Sequence, residues 1–350
     1  MTVWCRLFFI FLIAMLHGNS KAENNSYVLE NVAVITGQLQ TPILKQSVLI
    51  KGSIFSEIYP TGSKLPPSDI TIIDLAGHTL MPGLINGHVH LTPNPNRQQA
   101  LSEMVRMGIT TVRDLGGSAP VLKELAQNDT IRPRLIFSAV FFGPGFLNDP
   151  RVSAVAGNYA PGEAPWMRLV TETSDIDQVV ADAKEIGAGG IKIYASVSKA
   201  VIKKIVAAAA SIGMPVWSHS VTFPADPQEI VLAGVNQIIH SKGLVALGRN
   251  DIPQTFREGV LTWTPKLAFA QINPDSSKFS QLFALMNEHN TVLEPALIAD
   301  QGLLAKGKNR PRWMVAQENW ACEATRFVCS PARGEDICGY RLFRSARPFI

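Results

Sequence analysis

Cysteine is scarce in this chain: there are four among 350 residues, and none between Cys5 and Cys322. A disulfide framework therefore does not hold the fold. Charge is scarce too, with 17% of residues Asp, Glu, Lys or Arg against 46% hydrophobic and a formal net charge of +4. The basic residues are scattered, and no basic run interleaves with aromatics, which argues against a nucleic-acid partner. Internal repeats and low-complexity tracts are absent. What is left is ample for a sizeable core, and an α/β barrel of ordinary length fits within it.

Long apolar runs are also missing, with one exception at the N-terminus. Leu7 to Leu16 (LFFIFLIAML) follows Arg6 and precedes the small-x-small site Ser20-Lys21-Ala22. This reads as a secretory signal cleaved after Ala22, with an uncleaved anchor as the alternative. The run is too short for a comfortable membrane span. Cys5 precedes it and so does not look like a lipid-attachment cysteine. The expected location is therefore outside the cytoplasm, periplasmic or secreted, with no stable membrane span once residues 1–22 are removed.

From Tyr27 to about Leu80 the pattern is short β-type runs with turns. Val32–Ile35, Ser47–Ile50 and Ile70–Ile73 are the clearest, punctuated by Gly37, Gly52, Gly62 and Pro66-Pro67. Residues 23–80 are expected to form a small β-sandwich domain. From Met81 strands alternate with helices, the signature of parallel βαβ units, so residues 81–319 are expected to form a barrel. Helices are expected after Asp175 and Ser198, each a capping residue ahead of an apolar stripe. The segment Gly143 to Pro165 is rich in Gly and Pro, follows a strand, and should lie as a long loop over the barrel mouth.

The remaining short apolar runs carry the chemistry. Pro82-Gly83-Leu84-Ile85-Asn86-Gly87-His88-Val89-His90 ends in two histidines two residues apart. Side chains alternate along a strand, so His88 and His90 point to the same side. Such a pair before a Pro- and Asn-rich turn is suited to hold a metal ion. Lys192 lies in Gly190-Ile191-Lys192-Ile193-Tyr194, His219 ends Val216-Trp217-Ser218-His219, and His240 ends Gln237-Ile238-Ile239-His240. A lysine between two isoleucines is costly if it faces a core; alternatively its ammonium snorkels to solvent. Desolvation strips a lysine of its proton, and the neutral amine can add carbon dioxide to become a carbamate anion. The bland readings are a strand-end His pair that binds nothing and two satisfied core histidines. His78 and His289 fall outside the pattern, and His17 lies in the signal.

Taken together these residues resemble the metal site of the amidohydrolase superfamily. More closely they resemble its prolidase-like and imidazolonepropionase-like branch, over residues from about Tyr27 to about Ala299. The resemblance implies a (β/α)8 TIM-type barrel with a small flanking N-terminal β-sandwich. It implies a divalent metal cofactor, one or two zinc ions. Lys192 as a carbamate would bridge them, His88 with His90 would hold one, and His219 with His240 the other. A divalent ion lowers the pKa of its bound water towards about 7, and the resulting hydroxide attacks a carbonyl carbon. The implied activity is hydrolysis of a C–N bond in a small-molecule amide, dipeptide or cyclic amide; ester or lactone hydrolysis would use the same attack. Tyr194 shares the face of Lys192 and either meets substrate or packs in the core. Asp114, after Val112-Arg113, either supports a ligand or substrate from behind or caps the turn before Gly116-Gly117. Self-association into a homo-oligomer is left open.

The family also places an aspartate, usually in Gly-Thr-Asp, at the end of the eighth strand as general acid/base. This sequence has no Gly-Thr-Asp. Asp300 follows Thr291 to Ala299, which looks like strand seven, and Asp336 has the wrong continuation in Tyr340-Arg341. From about Trp320 the character changes: residues 320–350 hold three cysteines and five arginines with no apolar periodicity. The tail reads as a frameshifted or truncated end, or as a lineage-specific one. The expectation is an incomplete barrel with weak or absent hydrolysis, and a catalytically inactive exported binding protein is the alternative.

Overall fold

The computed structural model describes residues 26–38, 41–244, 247, 273 and 275–296. Residues 1–22, where a signal is expected, Asp300, Asp336 and the tail from about Trp320 lie outside the described residues. No helix among the described residues is long and apolar enough to cross a membrane. The described residues fall into two compact units that part between Pro82 and Gly83.

The first unit is a five-stranded sheet. β1 (Ser26–Val34), β2 (Ile43–Lys51) and β3 (Ile54–Pro60) pair antiparallel. β4 (Thr71–Asp74) and β5 (Thr79–Leu80) run parallel to β1 along its other edge. Val28, Val32 and Val48 are fully buried, the β-branched residues that suit a pleated surface. The expected sandwich is present here as one sheet; a second layer is not among the described residues.

The second unit alternates strand and helix as expected. β6 (Leu84–Val89), β7 (Ile109–Asp114) and β8 (Arg134–Phe142) are followed by β9 (Glu163–Ala164) and β10 (Met167–Leu169). Then come β11 (Gly190–Ile193), β12 (Val216–His219), β13 (Gln237–Ile239) and β14 (Val292–Glu294). Seven of these, β6, β7, β8, β11, β12, β13 and β14, are joined in that order by parallel ladders. Helices cover the outside. α1 (Arg97–Arg106) and α2 (Ala119–Gln127) follow β6 and β7. In α4 (Ile176–Glu185) Asp175 accepts the N–H of Gln178 as cap, and Ile176, Val179, Val180 and Ala183 are buried. In α5 (Lys199–Ser211) Ser198 caps through Val201, and Val201, Ile202, Ile205, Ala208 and Ala209 are buried. Both stripes follow the 3.6-residue period, and each fully buried aliphatic contributes about 1.5–3 kcal/mol. Ala139, Val140, Phe141 and Phe142 of β8 are all fully buried, as a strand covered on both faces requires.

Register decides which side chains meet. Lys192 pairs with Val140 and Trp217, His219 with Ile239, and Ile239 with Glu294. Paired residues in a ladder point to the same face, so Lys192, Trp217, His219, Ile239 and Glu294 share one. Leu115, Trp217 and Ile239 form an apolar cluster separate from the main core.

The segment Gly143 to Pro165 departs from the long loop expected. It contains a 3-10 turn at Pro144–Phe146 and a short helix α3 (Pro150–Val155), and β9 with β10 forms a hairpin whose second strand extends β8. Asp149 caps α3 through the N–H of Arg151, and Trp166 Nε1 donates to the carbonyl of Val155 at 2.7 Å. Such short pieces rest on proline at the first helical turn and on side-chain-to-backbone bonds, which leave no apolar period to read. Gly143 is obligatory at the start: a Cβ there would stand 1.5 Å from the Ser196 carbonyl oxygen.

Candidate active site

The C-terminal ends of β6, β11, β12, β13 and β14 bring one group of polar side chains together. His88 and His90 place their Nε2 atoms 3.2 Å apart. Two nitrogens on one tetrahedral zinc, each at about 2.0–2.1 Å, stand about 3.3 Å from each other. The His88 ring lies 4.8 Å from that of His240, and His240 lies 5.2 Å from His219, between centroids. His219 in turn packs on Tyr194 at 4.2 Å. All four histidines singled out in the sequence thus gather at one end of the sheet.

His240 reaches this position through an uncommon backbone. Its φ is +70°, a region that few residues other than glycine adopt. The conformation is held by its own N–H donating to the Glu294 carbonyl at 2.9 Å and its carbonyl accepting the Ser220 hydroxyl at 2.6 Å. Strain of this kind is concentrated at functional sites.

Lys192 stands in the same group, fully buried. Its Nζ has no hydrogen-bond partner among the described residues and lies 5.9 Å from the Tyr194 ring centroid. Burial first, and then the positive charge of Arg113, hold its pKa well below the ordinary lysine value, while Glu294 opposes them. The snorkelling alternative does not describe this side chain. Burial likewise holds His219 well below the usual imidazole value, aided by Lys192 and the neighbouring histidines. Desolvation by the protein packed around the His90 ring, and then the charges of His88, Lys192 and Arg151, push it down to about 4, although the residue keeps an exposed edge.

Three residues were not singled out in the sequence. Glu294 accepts from His88 Nδ1 at 2.9 Å. Burial works against its ionisation, but the His88 hydrogen bond and charge and the Ala296 N–H outweigh this and hold its pKa below the usual glutamate value. Arg113 donates from Nε to the Gly87 carbonyl at 2.7 Å and lays its guanidinium over the Trp217 ring at 4.3 Å, so it grips the strand just before His88. Arg151, on α3, is forked onto Asp149 at 2.7 and 2.8 Å and covers Phe146 and Tyr194 at 4.9 and 5.5 Å. A charged residue inside the apolar run Thr291 to Ala299 was the available signal for Glu294.

Asp114 lies behind the histidine pair, at the end of β7. It is fully buried, and its oxygens accept the N–H groups of Leu91 at 2.6 Å and Gly116 at 3.0 Å. It therefore fastens the turn after His90 to the end of β7. Gly116 completes this corner, because a Cβ there would meet the His90 ring at 3.2 Å.

The displaced imidazoles link stability to pH. A histidine whose folded pKa is depressed leaves the unfolded chain holding more protons between the two values. The metal-free protein should therefore lose stability as pH falls from about 6.5 towards 4, and the loss due to His90 should level off below about 4. Urea midpoints across this range test it. His90→Asn should flatten the slope, and a slope unchanged by that substitution would remove His90 as its source.

The amidohydrolase family model matches residues 79–307. The chain belongs to the amidohydrolase family. A 96-residue stretch of this amidohydrolase is 26% identical to the enamidase of Eubacterium barkeri, covering 25% of each protein, so the match spans a quarter of that relative's length. Among solved structures it is similar to a Xaa-Pro dipeptidase with bound methionine in its active site, at 20% identity and a TM-score of 0.58 over 82% of this chain and 71% of the other. It is similar also to the A. niger ochratoxinase, at 18% identity and a TM-score of 0.52 over 80% and 73%. At these identities the likeness establishes the α/β-barrel fold.

Members of this family generally use divalent metal ions. Among the described residues no three His, Cys, Asp or Glu side chains converge on one ion position, because the imidazoles pack against one another. The donors nevertheless fit such an ion. His88 and His90 already hold the spacing of two ligands on one metal, and a buried amine without a partner stands beside them. Imidazole nitrogens are common ligands of divalent transition metals.

Proposed function

We propose that this amidohydrolase is a metal-dependent hydrolase of C–N bonds in small amides, dipeptides or cyclic amides. The observation that carries the reading is Lys192, a fully buried amine with no hydrogen-bond partner among the described residues, set among four histidines. An unpaired buried polar group costs about 1–3 kcal/mol, and a chemical role for the amine accounts for its being there. The neutral Nζ forms a bond to the carbon of carbon dioxide and releases one proton, leaving a carbamate whose two oxygens can each meet a cation. His88 with His90, and His219 with His240, supply the remaining nitrogen ligands. A bound divalent ion supplies Lewis acidity and lowers the pKa of bound water to about 7.

The protein's own groups do the rest. Glu294, Arg113 and Asp114 fix the strand that carries His88 and His90. Tyr194, beside His219, and Arg151 above it form the wall that substrate meets. The names enamidase, Xaa-Pro dipeptidase and ochratoxinase support an amide-type substrate.

The test is a panel of N-acyl amino acids, dipeptides and cyclic amides against lactones, with zinc supplied or chelated. Turnover of the amide set that stops with chelator and returns with zinc is expected. Lactone-selective turnover would move the assignment to ester chemistry, and turnover that ignores chelator would remove the metal. The same panel measures whether the low activity expected from the missing Gly-Thr-Asp is real. Arg151 retains donors beyond those given to Asp149, and its side chain is 45% exposed. Arg151→Met should raise KM for carboxylate-bearing substrates by about 10-fold or more, from the loss of one charged hydrogen bond, without changing metal content.

A further inference from the structure

Glu294 lies 206 residues from His88 in sequence, on the strand at the opposite end of the described parallel sheet. Nothing in the local pattern of either segment requires them to meet. The curl of the sheet brings the ends of β6 and β14 to one place, where Glu294 Oε2 stands 2.9 Å from His88 Nδ1. Only 13% of the His88 side chain and 21% of the Glu294 side chain reach solvent, so the bond is poorly screened.

A carboxylate accepts and does not donate, so the hydrogen of this bond sits on His88 Nδ1. In the neutral ring that fixes the tautomer and leaves the lone pair on Nε2, the atom 3.2 Å from His90 Nε2. Glu294 is itself held in place. Its Oε1 accepts the N–H of Ala296 at 2.9 Å, and its carbonyl accepts the N–H of His240 at 2.9 Å. One residue therefore touches two of the four histidines, His88 through its side chain and His240 through its backbone.

We infer that Glu294 is a positioning residue for the metal site, which sets the tautomer and ring orientation of His88 across the two ends of the sheet. The inference rests on the metal-site reading of His88 and His90. Carboxylates that hold ligating histidines are worth about 10–100-fold in metal affinity, and that is the loss expected for Glu294→Ala. Glu294→Gln keeps an acceptor oxygen without the charge and should recover part of it.

The experiment has two readouts. The first is zinc affinity, by competition with a chromophoric chelator, for the parent chain, Glu294→Ala and Glu294→Gln. The second is the His88 tautomer in the metal-free protein, from nitrogen chemical shifts assigned with His88→Gln. The inference predicts His88 as the Nδ1–H form in the parent and a shift towards the Nε2–H form in Glu294→Ala, with Gln between. If the parent binds no zinc, the metal reading fails, and the tautomer still decides whether Glu294 orients His88. If zinc binds and Glu294→Ala alters neither affinity nor tautomer, while circular dichroism shows the variant folded, Glu294 is not a positioning residue.

Discussion

Lys192→Met should give a protein that is harder to unfold and yet no longer takes up metal normally. The two effects come from one observation, a fully buried Nζ without a partner among the described residues. Methionine keeps most of the chain's length and shape and removes the polar atom. In the metal-free protein the substitution should stabilise by about 1–3 kcal/mol, the usual cost of leaving such a group unsatisfied. Metal affinity should fall by more than the about 10–100-fold that loss of a supporting residue costs, since here a ligand goes. Urea unfolding with chelator present reads the first effect, and zinc titration reads the second. Intact mass spectrometry of the parent at neutral pH, with bicarbonate and zinc present, should show the added mass of one carbon dioxide, lost on acidification and absent in the variant. A variant with unchanged stability and unchanged affinity would mean that the amine is neither a burden to the fold nor a ligand.

His88→Ala should abolish the chemistry. The ring supplies one of the two nitrogens at ligand spacing and also receives Glu294 and packs on His240. A metal ion contributes several kcal/mol to the stabilisation of charge in the transition state, and each 1.36 kcal/mol is tenfold in rate. Whatever hydrolysis the parent chain shows should drop by at least about 10³-fold, with zinc affinity falling in parallel. His78→Ala is the matched control. His78 lies in the N-terminal unit, half-buried and near the Ala76 carbonyl, and should change neither quantity. Loss of activity in both variants would point to a general effect on folding; loss in neither would dismiss the site.

Much of this was legible in the sequence because it is local. The strands that carry His88, Lys192, His219 and His240 are short apolar runs, and the helices after Asp175 and Ser198 have both a capping side chain and an apolar stripe. Two-residue spacing sufficed to place His88 and His90 on one side. Glu294 was not legible, because its role depends on which strands the curl of the sheet brings near each other. The run around it reads as a strand, and nothing in that run says what its end will meet. Arg113 reads as an ordinary polar residue before an aspartate; only its place over the Trp217 ring, at 4.3 Å, shows where it goes. Asp114 has two roles open to it in the sequence, because its partners, Leu91 and Gly116, lie on a different turn and on its own.

The segment from Gly143 to Leu169 is fastened to itself, to β8 through the β10 ladder, to α4 through Arg168 and Asp182, and to the β11 corner. Trp166 holds Val155, Asp149 holds Arg151, and Gly143 and Gly145 bond to Ala195 and Ser196. None of these bonds involves His88, His90, His219 or His240. Descent can therefore edit the two parts separately. Relatives could exchange this segment whole, or rewrite Arg151 and its neighbours, and so acquire a taste for a different acyl or amine group while inheriting the same reactive centre. A graft of the corresponding stretch from another amidohydrolase is the laboratory version of that history, and the splice points it calls for are the end of β8 and the end of β10.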